Sequence, residues 1–180
     1  MTVHITYFVH GTTVDNENKV GTGWNQGELS ELGIQQAKDL KPLVADKTFD
    51  TVFCSDLKRA VDTATIVFGD KYEITPDARL RECNYGDLNG ATEEMLGEKT
   101  AHISDPFPNG ESYQDAEKRI VDFLEFLKKE YDGKHVAIVA HQAPQLALNV
   151  ILKNMTWEEA FANDWRKTKS WQPGWEYTAS

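Results

Sequence analysis

The chain has 180 residues, the length of one ordinary domain, and 40% of them are hydrophobic, enough to bury a core, so disorder is excluded as a global description. Its 29 acidic against 19 basic residues leave a formal charge of −10, which argues against nucleic acid or another polyanion as the main partner, because neutralising phosphates needs a basic surface. No stretch approaches the roughly 18 consecutive apolar residues of a membrane span, and the two cysteines, Cys54 and Cys83, cannot build a disulfide framework.

The start Met1-Thr2-Val3-His4 lacks the basic and apolar pattern of a signal peptide, so the expectation is one cytoplasmic domain over residues 1–180 with free thiols. In chain order, Val3 to Val9 is the first near-continuous apolar run, the pattern of a strand covered on both faces. A polar loop from Gly11 to about Glu28 comes next. A helix then reads from Leu29, Leu32, Ala37, Leu40 and Leu43, with Pro42 near its end. Thr51 to Cys54 is a second buried strand, and it runs into a helix carried by Leu57, Ala60, Val61, Ala64, Val67 and Phe68. Pro76 to Gly90 is loop-like, dense in polar residues and glycine. The clearest helix has the stripe Tyr113, Ala116, Ile120, Phe123, Leu124, Leu127 and Tyr131, with Ser112 and Asp115 as an N-terminal cap pair and Gly133 closing it. Val136 to Ala140 is the third strand, and Leu146, Ala147, Val150 and Ile151 mark the helix after it. Strands alternating with helices predict an α/β fold with a mostly parallel sheet and helices on both faces, although strand order is not legible.

In such sheets the ligand crevice lies beyond the carboxyl ends of the strands. The residues directly after the three apolar runs are His10-Gly11-Thr12-Thr13, Ser55-Asp56-Leu57-Lys58-Arg59 and His141-Gln142. Two of the five histidines and one arginine are therefore expected at one sheet edge. This set suits a phosphoryl group. An imidazole can attack phosphorus, and a guanidinium fork can clamp two of its oxygens. Gly11 would let the backbone approach a ligand, and Thr12 and Thr13 can donate to it. The leaving oxygen also needs an acid. Arg81-Glu82 lies in the loop-like stretch, but chemistry alone does not single out Glu82 from 29 acidic residues. No ligand spacing points to a metal.

The segment Tyr7-Phe8-Val9-His10-Gly11-Thr12-Thr13-Val14-Asp15-Asn16 resembles the first signature of the histidine phosphatases, the phosphoglycerate-mutase-like superfamily. Gly23-Trp24-Asn25-Gln26-Gly27-Glu28-Leu29-Ser30, Ser55-Asp56-Leu57-Lys58-Arg59-Ala60, Leu80-Arg81-Glu82 with Gly86, Pro108-Asn109-Gly110-Glu111-Ser112, and Val136 to His141 are similar to its later motifs, in family order over residues 3 to about 150. The resemblance implies a three-layer α/β/α sandwich and a phosphatase of small phosphomonoesters that works without metal or cofactor. It implies His10 as nucleophile through a phosphohistidine, Glu82 as acid and then base, and Arg59 and His141 on the phosphoryl oxygens. Asn16 and Thr13 would help to hold that group. Gly11, Trp24, Arg81 and Gln142 complete the expected substrate contacts, and the partner would be a small phosphorylated molecule or a phosphate-like anion, with no nucleic acid or membrane and with oligomeric state unspecified.

Two positions depart from the family pattern. Val9 stands where the pattern has arginine, which removes one of two guanidinium clamps, and Gln142 stands where glycine commonly comes after the histidine. Arg81, Arg79 or Lys58 is the expected compensating cation. An alternative is a module that keeps the pocket, shares the acidity of the chain, and binds or regulates without turnover. A metal-dependent hydrolase built on His10, His141 and nearby carboxylates is a third reading, which no His-x-x-x-His or Asp-x-His pair supports. Mutases of the family carry longer chains with an insertion that encloses the substrate, so the resemblance, with only 59 positions between Glu82 and His141, implies hydrolysis over phosphoryl shuttling. The tryptophans Trp157, Trp165, Trp171 and Trp175 are expected to pack a C-terminal helix and tail, and Cys83 is expected to be an inert thiol.

Overall fold

The computed structural model describes all 180 residues. Its strands are β1 (Val3–Val9), β2 (Val20–Gly21), β3 (Thr51–Cys54), β4 (Ile74–Pro76), β5 (Ala91–Thr92), β6 (His135–Ala140) and β7 (Trp175–Ala179). Its α-helices are α1 (Val14–Glu17), α2 (Glu31–Leu43), α3 (Lys58–Phe68), α4 (Glu93–Leu96), α5 (Tyr113–Glu130), α6 (Gln142–Lys153), α7 (Trp157–Ala162) and α8 (Trp165–Thr168). None of these helices is long and apolar enough to cross a membrane.

Five strands form the central sheet in the order β4-β3-β6-β1-β7. All neighbours are parallel except β7, which runs antiparallel to β1 at the edge. The central strands are apolar on both sides because both faces are covered. Phe8, Val52, Cys54, Ala137 and Val139 meet α2 and α3 on one face. Ile5, Tyr7, Phe53 and Ile138 meet α5, α6 and α7 on the other. The register puts Val9 opposite Ala140 and Cys54 opposite Val139, so three strands end nearly level. His10, Ser55 and His141 consequently emerge side by side.

Local signals explain the helix ends. Ser112 and Asp115 form a reciprocal capping box on α5. Pro42 is tolerated in the last turn of α2. Gly133 lies beyond the end of α5, in a turn at φ +73°, a conformation that favours glycine. Two expectations need amending. The segment between Gly11 and Glu28 is not wholly loop, since it contains α1 and β2, and β2 pairs with β5. The C-terminal tail ends in a strand, β7, as well as in helix.

Candidate active site

The site is built around two neutral imidazoles at the ends of β1 and β6. Nδ1 of His10 lies 2.7 Å from the Gly11 carbonyl oxygen, which can only accept, so Nδ1 carries the proton and Nε2 keeps its lone pair. Burial, and then the charge of Arg59, lowers the His10 pKa from 6.5 to about 3. The His141 ring stands edge-on to it with 5.1 Å between centroids. His141 is fully buried and neither ring nitrogen has a hydrogen-bond partner. Burial and Arg59 also push its pKa well down. An unpaired imidazole at this depth is costly unless a ligand satisfies it.

Arg59 reaches the same place from the first turn of α3, and its side chain is almost wholly buried. Its guanidinium donates to the carbonyls of Gly23 at 2.8 Å, Asn25 at 2.9 Å and Gln26 at 3.3 Å, so the loop before α2 fixes its direction without a carboxylate. Burial lowers its pKa, and Glu82 partly offsets that loss.

Glu82 is held against the N-terminus of α6. One carboxylate oxygen accepts from the backbone N–H groups of Cys83 and Ala143, each at 2.9 Å, and the other from that of Gln142 at 3.1 Å. A helix start is a favourable seat for such a group. The loop carrying Glu82 is gripped from α5 by Arg119, which pairs with Glu111 and donates to the carbonyls of Arg79 at 2.7 Å, Arg81 at 3.2 Å and Glu82 at 3.3 Å.

His10, Arg59 and Glu82 open into a cleft of about 850 Å³, lined also by Val9, Gly11, Asn16 and Gln142 among others, whereas His141 is fully buried behind His10 and is not part of the lining. Several other expected site residues are committed elsewhere. Thr13 is buried and forms a capping box with Asn16 at the start of α1; Asn16 lines the cleft and Thr13 does not. Gly11 donates its N–H to Thr63, and a Cβ there would run into the Gly33 carbonyl, so the close approach of α2 also requires this glycine. Trp24 donates its indole N–H to the Glu82 carbonyl at 2.7 Å and lies under the Arg81 guanidinium, outside the cleft lining.

None of the cations expected to compensate for Val9 is free. Arg81 makes two 2.7 Å hydrogen bonds to Asp56, Arg79 pairs with Asp77, and Lys58 with Asp62 and Glu28. Two other cations line the cleft, Lys99 and Arg166. Neither was legible in the sequence, because nothing in the local pattern of either segment points at the strand ends. The cleft therefore presents three cations, Arg59, Lys99 and Arg166, against three carboxylates, Asp39, Glu82 and Glu93, and does not share the acidity of the whole chain.

The tryptophans divide. Trp157 is buried on α7 and donates to Glu117, and Trp175 stacks on Trp165 at 5.7 Å, whereas Trp165 and Trp171 also line the cleft. Cys83 is buried, and burial raises its thiol pKa. No group of three or more His, Cys, Asp or Glu side chains is placed to hold a metal ion.

The chain is similar to known proteins over most of its length. Residues 7–172 match the family model of the histidine phosphatase superfamily (branch 1). The 2,3-bisphosphoglycerate-dependent phosphoglycerate mutase of Rhizobium meliloti is 32% identical over 167 residues, covering 83% of this chain and 79% of its own. Among solved structures, the alpha-ribazole phosphatase of Shigella flexneri is 28% identical with a TM-score of 0.77, over 90% of this chain and 84% of that one. A mycobacterial glucosyl-3-phosphoglycerate phosphatase is 26% identical with a TM-score of 0.77, over 90% and 84%.

Proposed function

The chain belongs to the histidine phosphatase superfamily, and from that premise we propose that it hydrolyses a small phosphomonoester through a phosphohistidine on His10, without a metal. The observation that carries this reading is the 2.7 Å contact between His10 Nδ1 and the Gly11 carbonyl oxygen, which assigns the proton to Nδ1. The Gly11 carbonyl holds it there, so the unprotonated Nε2 in the cleft is a nucleophile with no need of a separate base. In the first step the Nε2 lone pair attacks phosphorus. The N–P bond forms as the P–O bond to the leaving group breaks, and the leaving oxygen takes its electron pair and a proton from the Glu82 carboxyl. In the second step water attacks phosphorus while the Glu82 carboxylate takes its proton. The N–P bond breaks back onto Nε2 and inorganic phosphate is released. Arg59 and His141 would bear on the phosphoryl oxygens; the unpaired nitrogens of His141 suit a ligand in that position.

We favour hydrolysis over phosphoryl shuttling because only 59 positions separate Glu82 from His141 and the 18 of α5 and 6 of β6 belong to the central layers, which leaves the short segment with β5 and α4 as the part that borders the cleft. Val9 favours one second reading, a module that binds a phosphate-like anion without turning it over, since a missing charge clamp typically costs on the order of 10²- to 10³-fold in rate. Turnover of 4-nitrophenyl phosphate by the natural chain and by His10→Ala, with and without a chelator, decides between them. The expected result is turnover that the chelator leaves unchanged, together with an acid-labile phosphoenzyme, both lost in His10→Ala. Activity retained in His10→Ala would overturn the mechanism, and a silent natural chain that still binds orthophosphate would establish the module.

A further inference from the structure

Position 9 carries no charge, yet the cleft is not short of a second guanidinium. Along β1, Val3, Ile5, Tyr7 and Val9 look toward the face covered by α5, α6 and α7, while Phe8 belongs to the opposite cluster. Short helix α8 lies on that same face: Trp165 packs on the same core as Val9, and Arg166, the next residue, lines the cleft together with Val9 and His10.

The placement of Arg166 is built by its neighbours. Asp164, almost wholly buried, caps α8 and accepts from the Arg166 backbone N–H at 3.0 Å and from its Nη1 at 3.1 Å. The other Asp164 oxygen accepts from the Gln142 side-chain amide. The Gln142 side-chain oxygen Oε1 in turn accepts from Lys99 Nζ at 2.8 Å. A continuous chain of hydrogen bonds, Lys99–Gln142–Asp164–Arg166, thus links three residues of the cleft wall through a buried carboxylate and is anchored at Gln142 on the first turn of α6, next to the seat of Glu82. The Arg166 guanidinium lies over the Trp165 ring at 4.4 Å, its Nη2 and Nε donate no hydrogen bond within the protein, and Lys99 forms no ion pair with any carboxylate. The Arg166 charge is the smallest of the influences that lower the pKa of His10 and His141, behind burial and Arg59 at both and behind His10 and Arg119 at His141.

We propose that Arg166 is the second phosphoryl clamp of this site: it enters from the face on which Val9 stands and supplies, from α8, the charged donor that position 9 lacks. Gln142 and Asp164 are the positioning residues of that clamp. The glutamine after the second histidine has a place in this arrangement, because its side chain joins the Glu82 seat to the buried carboxylate that orients the guanidinium. The proposal rests on the phosphoryl reading of the site above.

A double-mutant cycle on positions 9 and 166 tests it, using 4-nitrophenyl phosphate turnover and calorimetric binding of orthophosphate. Arg166→Gln should lower kcat/KM by on the order of 10²-fold and weaken orthophosphate binding, and Arg166→Lys should fall in between. Val9→Arg should restore most of the loss in the Arg166→Gln background while changing the natural chain far less. Unchanged turnover and phosphate binding in a folded Arg166→Gln would overturn the proposal. So would Val9→Arg improving both backgrounds by the same factor, because the two positions would then act independently. If the natural chain binds orthophosphate but never turns over, the hydrolase reading fails while the same cycle, read by affinity, still decides on Arg166. Failure of the natural chain to bind orthophosphate at all overturns both.

Discussion

At the scale of single residues the site depends on two imidazoles that stay neutral. His10 is held neutral by burial and by Arg59, with a pKa of about 3 instead of 6.5, and His141 is pushed down for the same reasons. The unfolded chain therefore binds more protons than the folded one below about pH 6.5. By linkage, stability is complete above the unfolded pKa and is lost as pH falls from about 6.5 toward about 3. At pH 5 the shift of His10 costs about 2 kcal/mol, and His141 acts in the same direction. Thermal midpoints from pH 7.5 to pH 4.5 should show His10→Asn losing less stability on acidification than the natural chain. Parallel curves would show that His10 is protonated without cost in the folded state. Under the proposed mechanism neutrality also serves the chemistry, since a protonated Nε2 has no lone pair to offer phosphorus.

At the scale of elements, the acid loop is the least self-supporting part of the site. It has only one turn of 3₁₀ helix on either side of Glu82, at Ala78–Leu80 and Gly86–Leu88, and α5 holds it through Arg119. The Arg119–Glu111 pair is mostly buried, so Arg119→Met should cost about 3 kcal/mol by leaving Glu111 unpaired. Adding Glu111→Leu should recover much of that stability. Turnover should fall in both variants, because three backbone carbonyls remain unheld and Glu82 loses its position. Urea unfolding beside kcat separates the two effects; full activity in the more stable double variant would show that Arg119 only stabilises. The same contrast between self-supporting and supported segments explains what is legible in the chain. β1, β3 and β6 announce themselves because strands buried on both faces are continuous apolar runs, and His10, Arg59 and His141 are legible because they stand at or just beyond the ends of those runs. Ile74–Pro76 is too short to signal a strand. In β7 buried and exposed residues simply alternate over five positions, and pairing with β1 decides its state. Arg81 is expected in the pocket from its neighbour Glu82, but sequence proximity does not say which way a side chain turns, and Asp56 takes this one. Lys99 and Arg166 leave no signal because their meaning lies in tertiary neighbours far away in the chain.

At the scale of the molecule, the last residues close the architecture and are not an appendage. β7 covers the free edge of β1, pairing from Val3–Ala179 to Tyr7–Trp175. Tyr177 donates to Asn149 on α6 at 2.9 Å, and Trp175 stacks on Trp165 at the head of α8. One strand therefore ties together the strand that ends at His10, the helix that begins after His141, and the segment that carries Arg166. Two variants separate these jobs. Trp175→Ala keeps the backbone pairing and removes a large buried side chain, so it should cost about 3 kcal/mol while leaving the chain in its natural oligomeric state. Deleting residues 172–180 exposes the edge of β1, whose unpaired N–H and C=O groups are a template for another chain. That truncation should lose turnover, melt well below the natural chain, and elute from gel filtration as larger species. A truncated chain that kept both its activity and its elution volume would mean that α8 and the β1 edge hold their places unaided, and the C-terminal strand would then have no part in building the site.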